Sequence, residues 1–424
     1  MSPQCFIEKL APSLLLTILT HLPDLTSLDN FLTASPAAYR LFDSTHAIKV
    51  FETVLTSGNT HEYTCALIRI IIPFRSGTLP PHVHSLNDFQ EMVTHDTTSH
   101  RYDPPEWEHL PLILAPDTPA AVLRGMLATN RKIVRQTACC LDYYLERFKA
   151  LRPRHPLDKD FHFVSEFQGP ERRYVPSWQL KPAENPFPVR DIGPSTWLEQ
   201  QRVLRAYWRV QLCREVQDAA RKGVMHWSVD GMSVIDLCCH VDIGNLLDDN
   251  DFDENSYGEP YVYQQGTLLE HELVESVLHY EEKSKEKSMR PTSAPVHLGL
   301  APFNISTISD DDREVLGWHT SITYTFFYRL GGRPGHHIPM GPCSPLQHVE
   351  FKPFRDLGFA IWSRERMVAY GFLDPDARSD QDHTYFLAWK SVLGHENMEQ
   401  VERENQAWDE RNVDRLRNRL LSQS

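Results

Sequence analysis

The sequence predicts a mainly α-helical protein: a small helical unit over residues 1–56, then one large irregular helical domain over 57–424 with at most a few short strands. Three observations lead there. Apolar residues recur at helical spacing in segment after segment, and no repeat occurs at a period of 20 to 50 residues. The strand-like runs, 322–327 and 359–362, are short and read equally as strands or buried helical turns. At 424 residues the chain is long enough to bury a large core without disulfide staples.

The N-terminal 50 or so residues are the most legible. Pro12 suits a first helical position, and Leu14, Leu15, Ile18, Leu19 and Leu22 follow at helical spacing before Pro23 closes the run. Thr26 with Asp29 has the form of a capping box, opening a second helix with Leu25, Leu28, Phe31 and Leu32 on one stripe. Ser35 and Pro36 read as N-cap and first position of a third helix carrying Tyr39, Leu41 and Phe42, and a fourth holds Ile48, Phe51, Val54 and Leu55.

Residues 73–119 contain eight prolines, which predicts an extended segment. A long helix follows, with Val122, Leu123, Met126, Leu127, Ile133, Val134, Ala138, Leu141, Leu145 and Phe148 on a broad face. Arg124, Arg131, Lys132 and Arg135 lie elsewhere, as a solvated basic face. Residues 152–196 again hold eight prolines, but Phe161, Phe163, Phe167, Tyr174, Trp178 and Phe187 are costly to leave in water. That combination predicts an extended segment laid across a folded body. Ser195 is the expected N-cap of the next helix, with Leu204, Tyr207, Trp208, Leu212, Val216 and Ala219 on its buried stripe and its end near Gly223. Further helices are expected over 267–287, from Ser309 onward, and over 399–421.

The net charge of −14 argues against a nucleic-acid partner, because phosphate backbones are held chiefly by Lys and Arg. Residues 240–290 contain 13 acidic and 4 basic side chains, so this block is either a solubilising face or a surface for a basic protein target. The eight cysteines include two vicinal pairs, Cys139-Cys140 and Cys238-Cys239, without a C-x-x-C spacing, and read as buried thiols of a reducing compartment. No run of about 18 uncharged apolar residues exists to span a membrane. The expectation is a soluble intracellular protein, cytoplasmic or nuclear, whose sequon at Asn304 goes unused.

Searching for chemistry returns fragments. His271 and Glu272 open like a zincin helix, but Glu275 stands where the second histidine ligand is needed; His271, Glu275 and His279 read as a solvated face. Asp249, Asp251 and Asp253 begin like a calcium loop, which then fails at Glu254 and Pro260. His82 with His84, and His336 with His337 after a glycine-rich turn, are the best histidine pairs. There is no nucleophile elbow, phosphate loop or dinucleotide fingerprint. No catalytic, cofactor-binding or metal-ligating residue is therefore assigned and no cofactor is implied. A metal-dependent enzyme using His336 and His337 is the alternative from the class of enzymes.

The segment from Ile7 to Leu28 is similar to an F-box. Leu10, Pro12, Leu14, Leu15, Ile18, Leu19, Leu22, Pro23, Asp24, Leu25 and Leu28 match that family's pattern, and the following stretch through Tyr39 and Phe42 resembles the form found in filamentous fungi. Ala11 separates Leu10 from Pro12, and the late tryptophan common in the family is absent, leaving Tyr39 or Phe42 in its place. Residues 199–212 and 357–366 also resemble downstream helices of those fungal proteins. The resemblance implies a non-catalytic subunit, the substrate receptor of a Skp–cullin–F-box ubiquitin ligase. Leu10, Pro12, Leu14, Leu15, Ile18, Leu19, Leu22, Pro23, Leu25 and Leu28 would bind the Skp adaptor, and through it a cullin, while the rest of the chain holds a protein target. A scaffold that keeps the fold without the ligase is the other non-enzymatic alternative. Independently, so aliphatic a helical cluster has more apolar surface than three short helices can hide from one another, so it either docks on a partner or packs on the downstream body.

Overall fold

A computed structural model describes residues 6–57, 60–80, 83–95, 113–158, 161, 166–168, 173–175, 181–238, 260–286, 346, 349, 351–373, 385–400, 402–403 and 406–407. It is mainly helical, as expected, and the strands among the described residues are four of three residues each. The chain divides into two compact units: residues 1–143, 195–241 and 258–319 form the first, and 144–194, 242–257 and 320–424 the second. The division falls within a long helix rather than at 56/57, and the N-terminal helices belong to the first unit.

That unit opens with a 3-10 turn, Phe6–Lys9, then α1 (Pro12–Thr20), α2 (Leu25–Ala34), α3 (Pro36–Leu41), a π-turn at Phe42–His46 and α4 (Ala47–Leu55). Pro12 takes the first position of α1. The cap of α2 differs from the expected Thr26–Asp29 box: the Asp24 carboxylate accepts from the Ser27 N–H at 2.7 Å. Asp24 sits in extended backbone one residue before the helix, which is where a cap can reach back to the first turn. Ser35 caps α3 as expected, accepting from the Ala38 N–H at 3.2 Å. Leu15, Leu19, Leu25, Leu28, Leu32, Phe42, Val50, Phe51, Val54 and Leu55 form the interior of this cluster.

The proline-rich stretch is not wholly extended. Pro73 lies in the last turn of α5 (Glu62–Ser76), and α6 (Leu86–His95) occupies the proline-free run between Pro81 and Pro104. A proline removes one helical hydrogen bond and crowds only the turn before it, so its density says little about the gaps between.

Helix α7 (Ala120–Lys149) buries Leu123, Met126, Leu127, Ile133, Val134, Leu141 and Phe148. Its basic side is only partly solvated, contrary to the expectation. Arg124 pairs with Asp43 and lies over the Tyr39 ring at 5.0 Å, Arg131 pairs with Asp29, and Asn130 donates to the Thr26 hydroxyl at 3.1 Å. These contacts seat α2, α3 and the π-turn against α7.

Helix α8 (Trp197–Arg221) is capped one residue later than expected, by Thr196 rather than Ser195. The Thr196 hydroxyl accepts from the Glu199 N–H, and the Glu199 carboxylate accepts from the Thr196 N–H at 2.8 Å. It ends as read from the sequence: Gly223 adopts φ 68° and donates to Ala220, while Val224 donates to Ala219. The buried positions of α8 circle its whole circumference and include Glu199, Gln201, Arg202, Arg205 and Arg209. Packed against α5, α9 (Val234–Cys238) and α10 (Pro260–Glu286), it is the central helix of this unit.

The second unit gathers on the end of α7. Phe148 meets Phe359, Trp362, Tyr370 and Phe372 at ring distances of 4.6 to 5.8 Å. Residues 359–362 are a buried turn after α11 (Lys352–Arg355), not a strand. The described residues of 152–196 include four short strands: β1 (Arg154–Pro156) pairs antiparallel with β4 (Glu184–Pro186), and β2 (Glu166–Gln168) with β3 (Arg173–Val175). After α12 (Arg364–Ala369), Gly371 at φ 74° lies against His155 and Phe187, where a Cβ would meet ring atoms at 2.7 Å. The buried Arg366 guanidinium donates to the Gly193 and Pro194 carbonyls at 3.2 and 2.7 Å, and α13 (Tyr385–Ser391) completes the unit. Asp249, Asp251, Asp253, Ser309, His336, His337, residues 322–327 and most of 399–421 lie outside the described residues.

Candidate functional site

The ten residues that the F-box resemblance marks do not share one environment. Leu15, Leu19, Leu25 and Leu28 are buried at 3% exposure or less and hold the cluster together. Leu14 and Ile18 are 56% and 37% exposed, Pro12 and Pro23 are exposed, and Leu10 and Leu22 are half-buried. The split follows helical geometry. Leu14 and Ile18 stand four residues apart on the outer side of α1, while Leu15 and Leu19 are buried on the side where α1 packs with α3 and α4; Leu10 and Leu22 flank the helix just beyond its two ends.

That outer side carries no Lys, Arg, Asp or Glu from Ala11 to Pro23. Two of the three hydroxyls of α1 are bound to the helix backbone: Thr17 donates to the Ser13 carbonyl at 3.0 Å and Thr20 to the Leu16 carbonyl at 3.1 Å. The His21 ring nitrogen Nδ1 lies 2.8 Å from the Thr17 carbonyl. Polar groups that already satisfy their hydrogen bonds on their own backbone leave methyls toward solvent. Among the described residues the exposed large apolar side chains are Leu14, Ile18, Tyr39, Ile113 and Leu157, so three of the five belong to α1 and α3.

Reactive chemistry is weakly served elsewhere. Cys140 hydrogen-bonds Tyr207 and Cys139 hydrogen-bonds Tyr280, and burial raises both thiols above their ordinary value. Burial likewise pushes Cys65 up to about 12. Such thiols stay protonated near neutral pH, and only the thiolate attacks or ligates. His271 lies 3.8 Å from Glu275 as an i,i+4 pair, and the His84 backbone N–H donates to Asp88 at 2.8 Å, holding that carboxyl below the ordinary value. Among the described residues no three His, Cys, Asp or Glu side chains converge as metal ligands.

The largest charged constellation is buried and internal. Glu270 on α10 receives Arg205 through Oε1 and Arg209 through Oε2, each at 3.1 Å, and Arg205 lies over the Tyr63 ring at 5.0 Å. Burial, against the nearby Glu199 and Glu270, brings Arg202 down to about 10, still protonated at neutral pH. Arg214 pairs with Glu281 at 2.8 Å. The acidic block is therefore not all available to a basic target: part of it neutralises α8. Nothing in the sequence flagged this, because arginines at helical spacing look like a solvated face until their partners are placed.

Among the described residues no helix is long and apolar enough to cross a membrane. Comparison with family models, curated proteins and solved structures gives no match to this chain.

Proposed function

We propose that this protein is the substrate receptor of a Skp–cullin–F-box ubiquitin ligase, docking on the Skp adaptor through the outer side of α1. The observation that carries the reading is an uncharged helix side with Leu14 and Ile18 exposed, the Thr17 and Thr20 hydroxyls folded back, on a cluster that already has its own interior. The residues implied by the F-box resemblance then have two roles. Leu15, Leu19, Leu25 and Leu28 build the cluster, and Leu10, Pro12, Leu14, Ile18, Leu22 and Pro23 meet the adaptor. Burying Leu14 and Ile18 would supply about 3–6 kcal/mol at most, against about 4–15 kcal/mol for association, so Leu10, Leu22 and the rim must contribute. The receptor itself performs no chemistry. It brings a protein target, held by the remainder of the chain, to ubiquitin transfer carried out on other subunits in the cytoplasm or nucleus.

The test is recovery of purified Skp adaptor by the full chain, comparing wild type with a Leu14→Asp, Ile18→Asp variant whose circular dichroism and melting curve match wild type. At least tenfold weaker recovery by the variant is expected, since two carboxylates would have to be desolvated at the interface. A folded wild type that recovers no adaptor overturns the reading and favours a scaffold outside the ligase.

A further inference from the structure

We propose that Arg124, Asn130 and Arg131 of α7 are positioning residues for the docking surface on α1: they fix α2, α3 and the π-turn in the arrangement that supports it. The adaptor then binds a cluster completed by α7, not a detachable N-terminal module. This rests on the docking reading above and adds residues far outside the F-box-like segment on which that site depends.

The N-terminal helices are short, and their charges are completed elsewhere. Helices α1, α2 and α3 have 9, 10 and 6 residues, and isolated helices below about 12–15 residues are marginal in water. Residues 6–56 contain five carboxylates, and three of them take their cation from later in the chain. Asp29 pairs with Arg131, Asp43 with Arg124, and Glu52 with Arg69 of α5 at 2.7 Å. Asp29 is buried, so removing Arg131 leaves a carboxylate out of water without its cation.

The joint between α3 and α4 is where the cluster needs support. Ser44, with φ −78° and ψ −156°, breaks the helical path there, so continuous backbone does not set the angle between the two helices. Helix α1 packs on both of them, and its place follows that angle. Arg124 grips the joint: its guanidinium lies over the Tyr39 ring of α3 at 5.0 Å and pairs with Asp43, the residue before Ser44. Two turns further along α7, Asn130 donates to the Thr26 hydroxyl at 3.1 Å and Arg131 pairs with Asp29, holding α2 at two points three residues apart. Arg124 and Arg131 stand about 10 Å apart on one helix, which keeps α2 in register with the joint.

The experiment compares the full chain with a triple variant, Arg124→Ala, Asn130→Ala, Arg131→Ala, with each single substitution, and with Lys132→Ala, an exposed neighbour on α7, as control. Amide hydrogen exchange is read helix by helix, and adaptor affinity by titration. In the triple variant exchange in α1, α2 and α3 should quicken about tenfold or more while α8 stays protected, and the control should match wild type. Adaptor affinity should fall about threefold or more, because only molecules with the cluster assembled bind. Exchanging the partners, Asp29→Arg with Arg131→Asp, should restore what Arg131→Asp alone loses, to within about twofold of wild type. Unchanged exchange in α1, α2 and α3, or quicker exchange with unchanged affinity, overturns the inference and leaves the docking reading standing. A wild type that recovers no adaptor overturns both. Should α8 lose protection in the triple variant too, the single substitutions decide by the same two readings.

Discussion

Helix α1 turns Leu14 and Ile18 outward and has no Lys, Arg, Asp or Glu from Ala11 to Pro23, whereas α8 takes Arg202, Arg205 and Arg209 into the interior at 2% exposure or less. Each inverts the usual arrangement of helices, in opposite directions. An exposed leucine costs the fold little, since the unfolded chain exposes it too, and the gain comes only when a partner covers it. A buried arginine costs several kcal/mol in lost hydration, which its partners must offset. Glu270 does so for two arginines one turn apart, and in bridging Arg205 and Arg209 it also fixes how α10 lies along α8. The comparison separates side chains that the fold leaves exposed from side chains that hold the fold.

The sharpest way to break this contrast is Glu270→Ala, which leaves Arg205 and Arg209 without their shared carboxylate. We expect a loss of about 3–5 kcal/mol in urea unfolding; a loss below about 1 kcal/mol would mean the arginines are solvated after all. Within α1, Leu19→Ala should cost about 2–5 kcal/mol, because Leu19 is fully buried and its removal leaves a cavity. A base titration probes the α8 side of the comparison. Burial raises Cys65 from 9.0 to about 12 and shifts Cys140 and Tyr207 upward as well. Groups whose folded value is raised favour the native state fully below their unfolded value and lose that contribution as pH rises toward the folded one. Stability should thus decline from about pH 9 upward by about 1.4 kcal/mol per pH unit per thiol; a flat profile to pH 11 would show those thiols already open to solvent. Thr196→Ala, removing half of the α8 capping box, should cost about 1 kcal/mol. The smallest expected change is Leu14→Ala, within about 0.5 kcal/mol of wild type in unfolding yet clearly weaker in adaptor recovery. A large stability loss there would place Leu14 in the core.

How much could be read in advance varied with how local the signal was. Pro12, Ser35-Pro36 and Gly223 set helix ends through their own backbone chemistry, and the structure follows them. Thr26 and Ser195 missed their caps by one or two positions, because neighbouring Asp24 and Thr196 compete for the same role. The helix at Leu86–His95 was hidden by proline density on both sides. Ten residues of the N-terminal pattern were visible as one apolar set, but which of them are free was not, since the 3.6-residue period gives a helix two sides without saying which one has neighbours.

The sequence by itself determined that this is a mainly helical chain, where some of its helices begin and end, and that its first 56 residues hold an unusually aliphatic cluster; all of these follow from periodicity and from proline, glycine and capping chemistry within a few residues. Only the tertiary structure decided that Leu15 and Leu19 face inward while Leu14 and Ile18 face out, that α7 spends Arg124 and Arg131 on Asp43 and Asp29, and that the arginines of α8 are core residues. The reason is that exposure and pairing belong to contacts between segments far apart in the chain: Arg205 and Glu270 are each unremarkable alone, and acquire meaning only when folding brings them within 3.1 Å.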